Sequence, residues 1–119
     1  MDFNTEFEKL KMEMEIEPKK ESLSLEKFIR EYMERLEREG VILGLSGGVD
    51  SAVVAALCKR SVGPEKTLAL IMPEKDSKKE HIEDAKKFAK GLGIRTRLID
   101  ITPYLNKLEV YRLAHSCSK

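Results

Sequence analysis

The chain has 119 residues, of which 41% are hydrophobic and 36% are charged, and its formal net charge is only +1. This length suits one domain and not comfortably two. Because acidic and basic residues are interleaved and nearly balanced, the composition gives no electrostatic argument for binding nucleic acid or a membrane surface. No apolar run approaches the length of a membrane span and the first residues lack a signal-peptide pattern, so we expect a cytoplasmic location.

The cysteines and histidines indicate neither a disulfide nor a metal site built from these residues. Cys58 and Cys117 do not have the spacing of metal ligands, and a disulfide is not expected in the cytoplasm. Cys58 falls in an apolar stretch and is predicted to be a small buried residue. His81 and His115 are isolated and receive no catalytic role. Lysine and glutamate dominate the charges and glutamine is absent, a pattern enriched in thermophiles that chance could also produce in a short chain.

Residues 1–20 fit two structures. The apolar spacing over 3–14 is that of a helical stripe, whereas the alternation over 12–17 is that of a strand. Pro18 is expected to close this segment. The segment 1–20 is either an arm that packs on the core or on a partner chain, or a frayed terminus.

The remaining sequence alternates between helical and strand patterns. Ser24 is expected to cap a helix at about 25–39, and Gly40 is expected to end it. Ser77 to Glu80 has the form of a capping box for a later helix. The strand predicted at 95–100 is more polar than the others and is expected to form a sheet edge. The strand at 41–45 is apolar throughout and is expected to be buried on both faces. The order predicts right-handed βαβ units in a three-layer α/β/α fold with a parallel sheet of about three strands. We predict helices at about 25–39, 50–60 and 78–92, strands at 41–45, 67–72 and 95–100, and a short helix at 102–108.

The most informative segment is Ser46-Gly47-Gly48-Val49-Asp50-Ser51, which follows the apolar strand and opens the next helix. Glycines permit a sharp turn and close approach to a phosphate, and the first N–H groups of a helix have no helical partners. The two serines add hydroxyl groups. Asp50 would repel a bare phosphate, so its expected role is to hold Mg²⁺. The alternative is an ordinary βα turn that uses glycines for geometry.

A second loop, 72–77, follows the next strand. Parallel strands place their carboxyl ends at one edge of the sheet, where ligands of such sheets bind. The two loops together could therefore hold phosphates on one side and an adenine on the other.

The six-residue segment matches the SGGxDS signature of the ATP-pyrophosphatases, in which ATP is cleaved between its α and β phosphates. Neither GxxxxGK[ST] nor GxGxxG is present. With Ile71-Met72-Pro73 and Glu83-Asp84-Ala85, the stretch Gly44–Ser51 resembles an ammonia-dependent NAD synthetase, over about residues 24–105. The resemblance implies that ATP activates the carboxylate of deamido-NAD through an adenylylated intermediate. Pyrophosphate leaves, and ammonia then displaces AMP.

The resemblance also implies roles for individual residues. The glycine loop would bind the phosphates of ATP, the backbone around Ile71 and Met72 would meet adenine, and Asp50 would help to coordinate Mg²⁺. No protein nucleophile is implied, so the catalytic set is empty. The predicted nucleotide-binding residues are Leu45, Ser46, Gly47, Gly48, Asp50, Ser51, Ile71 and Met72.

Family members of this kind are considerably longer than the chain, and their second half brings two further strands and most of the deamido-NAD site. We therefore divide the sequence into an arm or helix (1–20), a partial ATP-pyrophosphatase-like domain (21–110) and a tail (111–119). It could be a fragment, a natural truncation or one part of a split protein. The first strand would then lie at a sheet edge for which it is too apolar. The expected cover is Met12–Ile16, a second copy in a homodimer, or a separate partner.

Two other functions stay open at this point. The chain could be a binding module that holds ATP or AMP, or oligomerises, without chemistry. It could also be another enzyme of the same loop family, GMP-synthetase-like or tRNA-thiolating. Thiolation would favour a reactive cysteine near the loop and a basic surface.

Overall fold

The computed structural model of the chain describes residues 2–117. Its single turn of 3₁₀-helix, Pro64–Lys66, leads into the second strand. None of the helices in these residues combines the length and apolarity needed to cross a membrane. The elements are α1 (Phe3–Glu13), α2 (Pro18–Arg35), β1 (Val41–Gly44), α3 (Val49–Val62), β2 (Thr67–Ile71), α4 (Lys79–Leu92), β3 (Arg95–Leu98), α5 (Thr102–Lys107) and α6 (Val110–Cys117).

The three strands form one parallel sheet in the order β1-β2-β3. Val41 pairs with Thr67, and Leu68 pairs with Arg95. The predicted α/β class with a parallel sheet is confirmed. So is the prediction that β3, whose four residues are all exposed, forms a sheet edge.

The core lies between the sheet and the pair α3 and α4. Alanines dominate the buried positions of the two helices, and their small side chains let the helices approach the strands closely. The buried apolar residues are Leu43, Leu45, Ala55, Cys58, Ala69, Ile71, Ala85, Ala89 and Ile94.

The opposite face of the sheet is only partly covered. Ile42 is 66% exposed, so the prediction that β1 is buried on both faces is wrong. Side chains alternate between faces along a strand, and Leu68 and Leu70 share the face of Ile42 and are half-buried. Within residues 2–117, only α3 and α4 contact the strands extensively. Both belong to right-handed crossovers that run in the same direction, so they lie on one face.

The expected intrachain cover for β1 is also wrong. The segment 12–16 forms no strand: α1 ends at Glu13, and Met12, Met14 and Ile16 are each more than half exposed. A second copy or a separate partner remains a prediction that a single chain does not test.

Helix α2 is longer at its start and shorter at its end than predicted. It begins at Pro18, so the proline separates the first segment from a new helix, and Ser24 lies inside that helix. Proline suits the first helical position because its missing N–H would have no helical partner there. The helix ends at Arg35, and Glu37 takes a left-handed conformation (φ 51°), so Gly40 is not the stop.

One buried charge joins α2 to α3. The Glu26 carboxylate is buried, and its Oε1 lies 2.8 Å from Nε of Arg60, an ion pair without the alignment of a hydrogen bond. The arginine side chain remains 57% exposed. The contact fixes α2 against the helix that follows the glycine loop.

One helix start in the second half differs from the sequence prediction. Ser77 does not form a capping box, because Lys78 is the N-cap of α4 and the Ser77 hydroxyl accepts the N–H of Glu74 instead. Gly93 ends α4 in the left-handed conformation (φ 70°), and it is one of the two glycines, Gly91 and Gly93, at which the sequence predicts the end of this helix. The predicted tail from 111 onward is largely helical, since α6 covers Val110–Cys117; its last two residues lie outside the described range.

Candidate functional site

The glycine loop lies at the carboxyl end of β1. Leu45 extends the pairing of β1 and β2, since its N–H donates to the carbonyl oxygen of Leu70 at 2.8 Å. The chain then turns through Ser46, Gly47 and Gly48, and α3 begins at Val49 with Gly48 as its N-cap. The first N–H groups of α3 therefore point away from β1 towards the space beyond the strand ends.

Ser51 and Ser46 hold the loop together. The Ser51 Oγ accepts the N–H of Ser46 at 3.1 Å, lies 2.9 Å from the Ser46 Oγ, and is 3.3 Å from the carbonyl oxygen of Gly48. The Ser46 Oγ in turn accepts the N–H of Gly48 at 3.2 Å. The two hydroxyls thus hold the turn in one conformation through hydrogen bonds within the loop.

Gly47 fits its position because it has no side chain. Its φ is +89°, and a Cβ there would overlap the carbonyl oxygen of His81 in the first turn of α4. Any other residue would be strained in conformation and would force the loop and α4 apart. The glycine loop therefore packs directly against α4, the helix that follows the loop 72–77.

A cavity of about 170 Å³ lies where the two loops meet. Four of the predicted site residues, Leu45, Ser46, Ile71 and Met72, line it together, as their positions after two adjacent strands predicted. The start of α4 completes the wall. Its further lining residues are Pro73, Ser77, Lys78, His81 and Ile82.

The other predicted residues lie beside this cavity. Gly47 and Gly48 face a second, more apolar groove of about 430 Å³ between α3 and α4, which is also lined by Asp84 and Phe88. Asp50 and Ser51 line neither space. Ser51 acts through its bonds to the loop, and Asp50 projects an exposed carboxylate from the first turn of α3.

Asp50 would be a metal ligand of a limited kind. Within the described residues, no group of three or more histidine, cysteine or acidic side chains could enclose a metal ion. Mg²⁺ commonly binds through one or two carboxylates with substrate phosphates and water, so a single exposed carboxylate beside a phosphate loop fits such an ion.

The sequence prediction missed two parts of the site. Lys78 and His81 line the cavity, and their positions just after the second loop could have indicated this. Tyr111, 37 residues from Glu74, donates a hydrogen bond to its carboxylate at 2.6 Å. No local sequence signal marks a contact of that separation.

Cys58 is buried as predicted, and burial raises the pKa of its thiol. A thiol held in this neutral form is a poor nucleophile. Cys58 lies in α3, seven residues after Ser51, and it supplies no reactive group to the glycine loop.

The fold and loop define the class: an α/β protein with a glycine-rich loop between the carboxyl end of a parallel strand and the start of the following helix. Sequence comparison then gives the family. The family model described as NAD synthase matches residues 21–116, and the chain belongs to that family. The match begins and ends slightly beyond the 24–105 of the sequence-based resemblance. Because the chain belongs to the NAD synthase family, the GMP-synthetase-like and tRNA-thiolating alternatives are not favoured.

Individual relatives agree with the family model. The chain is 48% identical over 90 residues to the NH3-dependent NAD synthetase of Thermotoga maritima, covering 76% of the chain and 32% of the relative. It is 49% identical over 79 residues to that of Methanocaldococcus jannaschii, covering 66% and 30%. The chain thus spans about a third of the length of these curated relatives.

Solved structures show the same fold. The NH3-dependent NAD synthetase of Campylobacter jejuni, in complex with a nitrate ion, superposes with a TM-score of 0.73 at 37% identity, covering 79% of the chain and 41% of that protein. The NMN synthetase of Francisella tularensis gives a TM-score of 0.74 at 30% identity, covering 84% and 41%.

Proposed function

We propose that the chain supplies the ATP-binding part of an ammonia-dependent NAD synthetase. The main observation in support of the proposal is the close packing of Gly47 against the carbonyl group of His81. It holds the serine-braced loop and the end of β2 around one cavity at the carboxyl edge of the sheet. Membership of the NAD synthase family supports the same function.

In this proposal the phosphates of ATP lie against the glycine loop. The backbone N–H groups at the start of α3 and the positive end of its dipole attract the phosphate oxygens. Ser46 and Ser51 add hydroxyl groups at the same place. The backbone at Ile71 and Met72 meets the adenine in the cavity between the loops.

Mg²⁺ would be held by Asp50 together with the phosphates. When bound, the ion supplies positive charge that stabilises the leaving pyrophosphate. The carboxylate itself keeps the ion at the start of α3, beside the loop.

The proposed reaction needs no protein nucleophile. A carboxylate oxygen of deamido-NAD forms a bond to the α-phosphorus of ATP, the bond from that phosphorus to the bridging oxygen breaks, and pyrophosphate leaves. Ammonia then adds to the acyl carbon, loses a proton, and AMP departs. The rate enhancement comes from positioning the reactants and from stabilising negative charge.

We further propose a second copy or a partner chain as the cover of the exposed β1 edge. Ile42, in this edge strand, is 66% exposed on the face of the sheet opposite α3 and α4, which is unusual for an apolar residue in the middle of a parallel strand. Such a cover would also place further residues beside the carboxyl end of β1, where deamido-NAD is expected to approach.

The test is calorimetric titration of the chain with ATP, with and without Mg²⁺, followed by assay of pyrophosphate release with deamido-NAD and ammonia. Saturable Mg²⁺-dependent binding supports the proposed site, and release of pyrophosphate supports the full activity. Binding without release would favour the alternative of a non-catalytic ATP- or AMP-binding module. Absence of binding at millimolar ATP would overturn the proposal.

A further inference from the structure

The loop 72–78, between β2 and α4, is organised around one carboxylate. The Glu74 Oε1 accepts the N–H of Asp76 at 3.0 Å, and the Glu74 N–H donates to the Ser77 Oγ at 2.9 Å. The Ser77 N–H returns to the carbonyl oxygen of Glu74 at 2.9 Å. These bonds make Glu74 the residue on which the shape of the loop depends.

Helix α6 holds that residue from outside the loop. The Tyr111 hydroxyl donates to the second oxygen, Oε2, of Glu74 at 2.6 Å, a short bond of the charge-assisted kind. The ammonium group of Lys75 lies 3.9 Å from the centroid of the Tyr111 ring, within the range of a cation–π contact. One side chain thus contacts two consecutive loop residues.

The segment between β3 and α5 is also hydrogen-bonded to this loop. The Ile101 N–H donates to the carbonyl oxygen of Pro73 at 2.9 Å, just before the residues that Tyr111 holds. The clamped loop contributes Met72, Pro73, Ser77 and Lys78 to the cavity wall. Tyr111 itself does not line the cavity.

We propose that Tyr111 is a positioning residue for nucleotide binding, which acts by holding Glu74 and Lys75 so that the 72–78 loop keeps the shape of the cavity wall. This inference rests on the proposed function of that cavity as the ATP site. Partial burial, and then Glu74, raise the pKa of Tyr111, so the hydroxyl keeps the proton that it donates at neutral pH.

The test is Tyr111→Phe, which keeps the ring over Lys75 and removes the hydroxyl. The matched control is Tyr104→Phe, a substitution on α5 at a residue that is 64% exposed. Two quantities are measured in the full chain: amide hydrogen exchange over 73–78 and the Kd for ATP with Mg²⁺. We expect faster exchange in the loop and an ATP affinity lower by about three- to tenfold, with no change in the control.

A second pair of variants tests the other side of the contact. Glu74→Gln keeps an oxygen acceptor and an amide that can still bond to the tyrosine, so it should retain most of the affinity. Glu74→Leu should lower the affinity at least as much as Tyr111→Phe, because it also removes the acceptor of the Asp76 N–H. The midpoint of thermal unfolding is followed in all variants, because a role confined to stability would lower the midpoint and leave the Kd of the folded chain unchanged.

The outcomes separate the two proposals. Unchanged exchange in Tyr111→Phe would show that the hydroxyl does not hold the loop. Faster exchange with an unchanged Kd would show that the loop's order is irrelevant to ATP. Either result overturns the positioning role while the wild-type chain still binds ATP. If the wild-type chain does not bind ATP, the proposed function fails first and the positioning role falls with it.

Discussion

The carbonyl oxygen of His81 lies too close to the position of a Cβ atom on Gly47 for any side chain to be accommodated there without a shift. Because Gly47 also has a φ of +89°, Gly47→Ala meets both a steric overlap with backbone and a strained conformation. We expect a loss of about 1–3 kcal/mol in the free energy of unfolding. We also expect loss of ATP binding, since the loop must move to admit the methyl group. Denaturant unfolding and calorimetric titration measure the two effects.

The matched control is Gly91→Ala. Gly91 lies inside α4, and a Cβ there would meet nothing within 4 Å. Alanine favours the helix over glycine by about 0.5–1 kcal/mol, so this variant should be as stable as the wild type or more so. Equal behaviour of the two variants would contradict the contact between the loop and α4.

Asp50→Asn tests the metal role of the exposed carboxylate at the start of α3. The amide keeps the size of the side chain and removes its charge, so ATP should still bind to the loop but Mg²⁺ should no longer strengthen binding. The measurement is the ratio of ATP affinities with and without Mg²⁺. Asp2→Asn, at the N-cap of α1, is the control for removing an acidic charge from a helix start. A Mg²⁺ effect of wild-type size in Asp50→Asn would exclude Asp50 as the ligand.

The two cysteines should differ sharply in reactivity. Cys58 is buried and Cys117 is exposed, so a thiol reagent at neutral pH should modify Cys117 alone in the folded chain. Both should react after unfolding in denaturant. Mass spectrometry of digests identifies the modified residue. Rapid modification of Cys58 under native conditions would contradict the packing of α3.

The raised pKa of Cys58 gives stability a pH dependence of known sign. Since the folded thiol binds its proton more tightly than the unfolded one, the contribution is complete below the unfolded pKa of about 8.5 and is lost as pH rises through the folded pKa. Unfolding free energies measured from pH 7 to 10 should therefore fall more steeply in the wild type than in Cys58→Ala. Cys117→Ser should keep the wild-type slope.

The buried Glu26 makes Arg60 important despite its exposure. Arg60→Met leaves the carboxylate buried without its partner, and we expect a loss of about 1–2 kcal/mol, moderated by solvent around the exposed guanidinium. The double variant Glu26→Leu/Arg60→Met removes both charges and should recover most of that loss. A double-mutant cycle by denaturant unfolding measures the coupling, and additive effects would show that the pair contributes nothing.

The sequence was sufficient for the elements whose signals are local. The apolar runs of β1 and β2, the polar edge strand β3 and the glycine stop of α4 each depend on neighbouring residues, and each is found in the structure. The glycine loop was predicted because its residue types suit one backbone geometry. The meeting of the loop with the end of β2 followed from the general arrangement of parallel sheets.

The errors have physical causes that a local pattern does not contain. Ser77 matched a capping box, but its hydroxyl accepts an N–H from Glu74 inside the turn. Ile42 matched a doubly buried strand, but burial depends on what packs against the sheet. The contact between Tyr111 and Glu74 joins segments far apart in sequence, and no periodicity predicts it.

The strand register has a consequence for the order of folding. Val41 pairs with Thr67 and Leu68 pairs with Arg95, so each pairing closes a single helical crossover and the entropy lost on closure is modest. Topologies with short sequence separations form quickly. We expect the two loops to meet when β2 pairs with β1, and the contact of Tyr111 with Glu74 to form later, because it needs α6, which follows all three strands in the chain. The cavity between the loops would then take shape before α6 stabilises its wall.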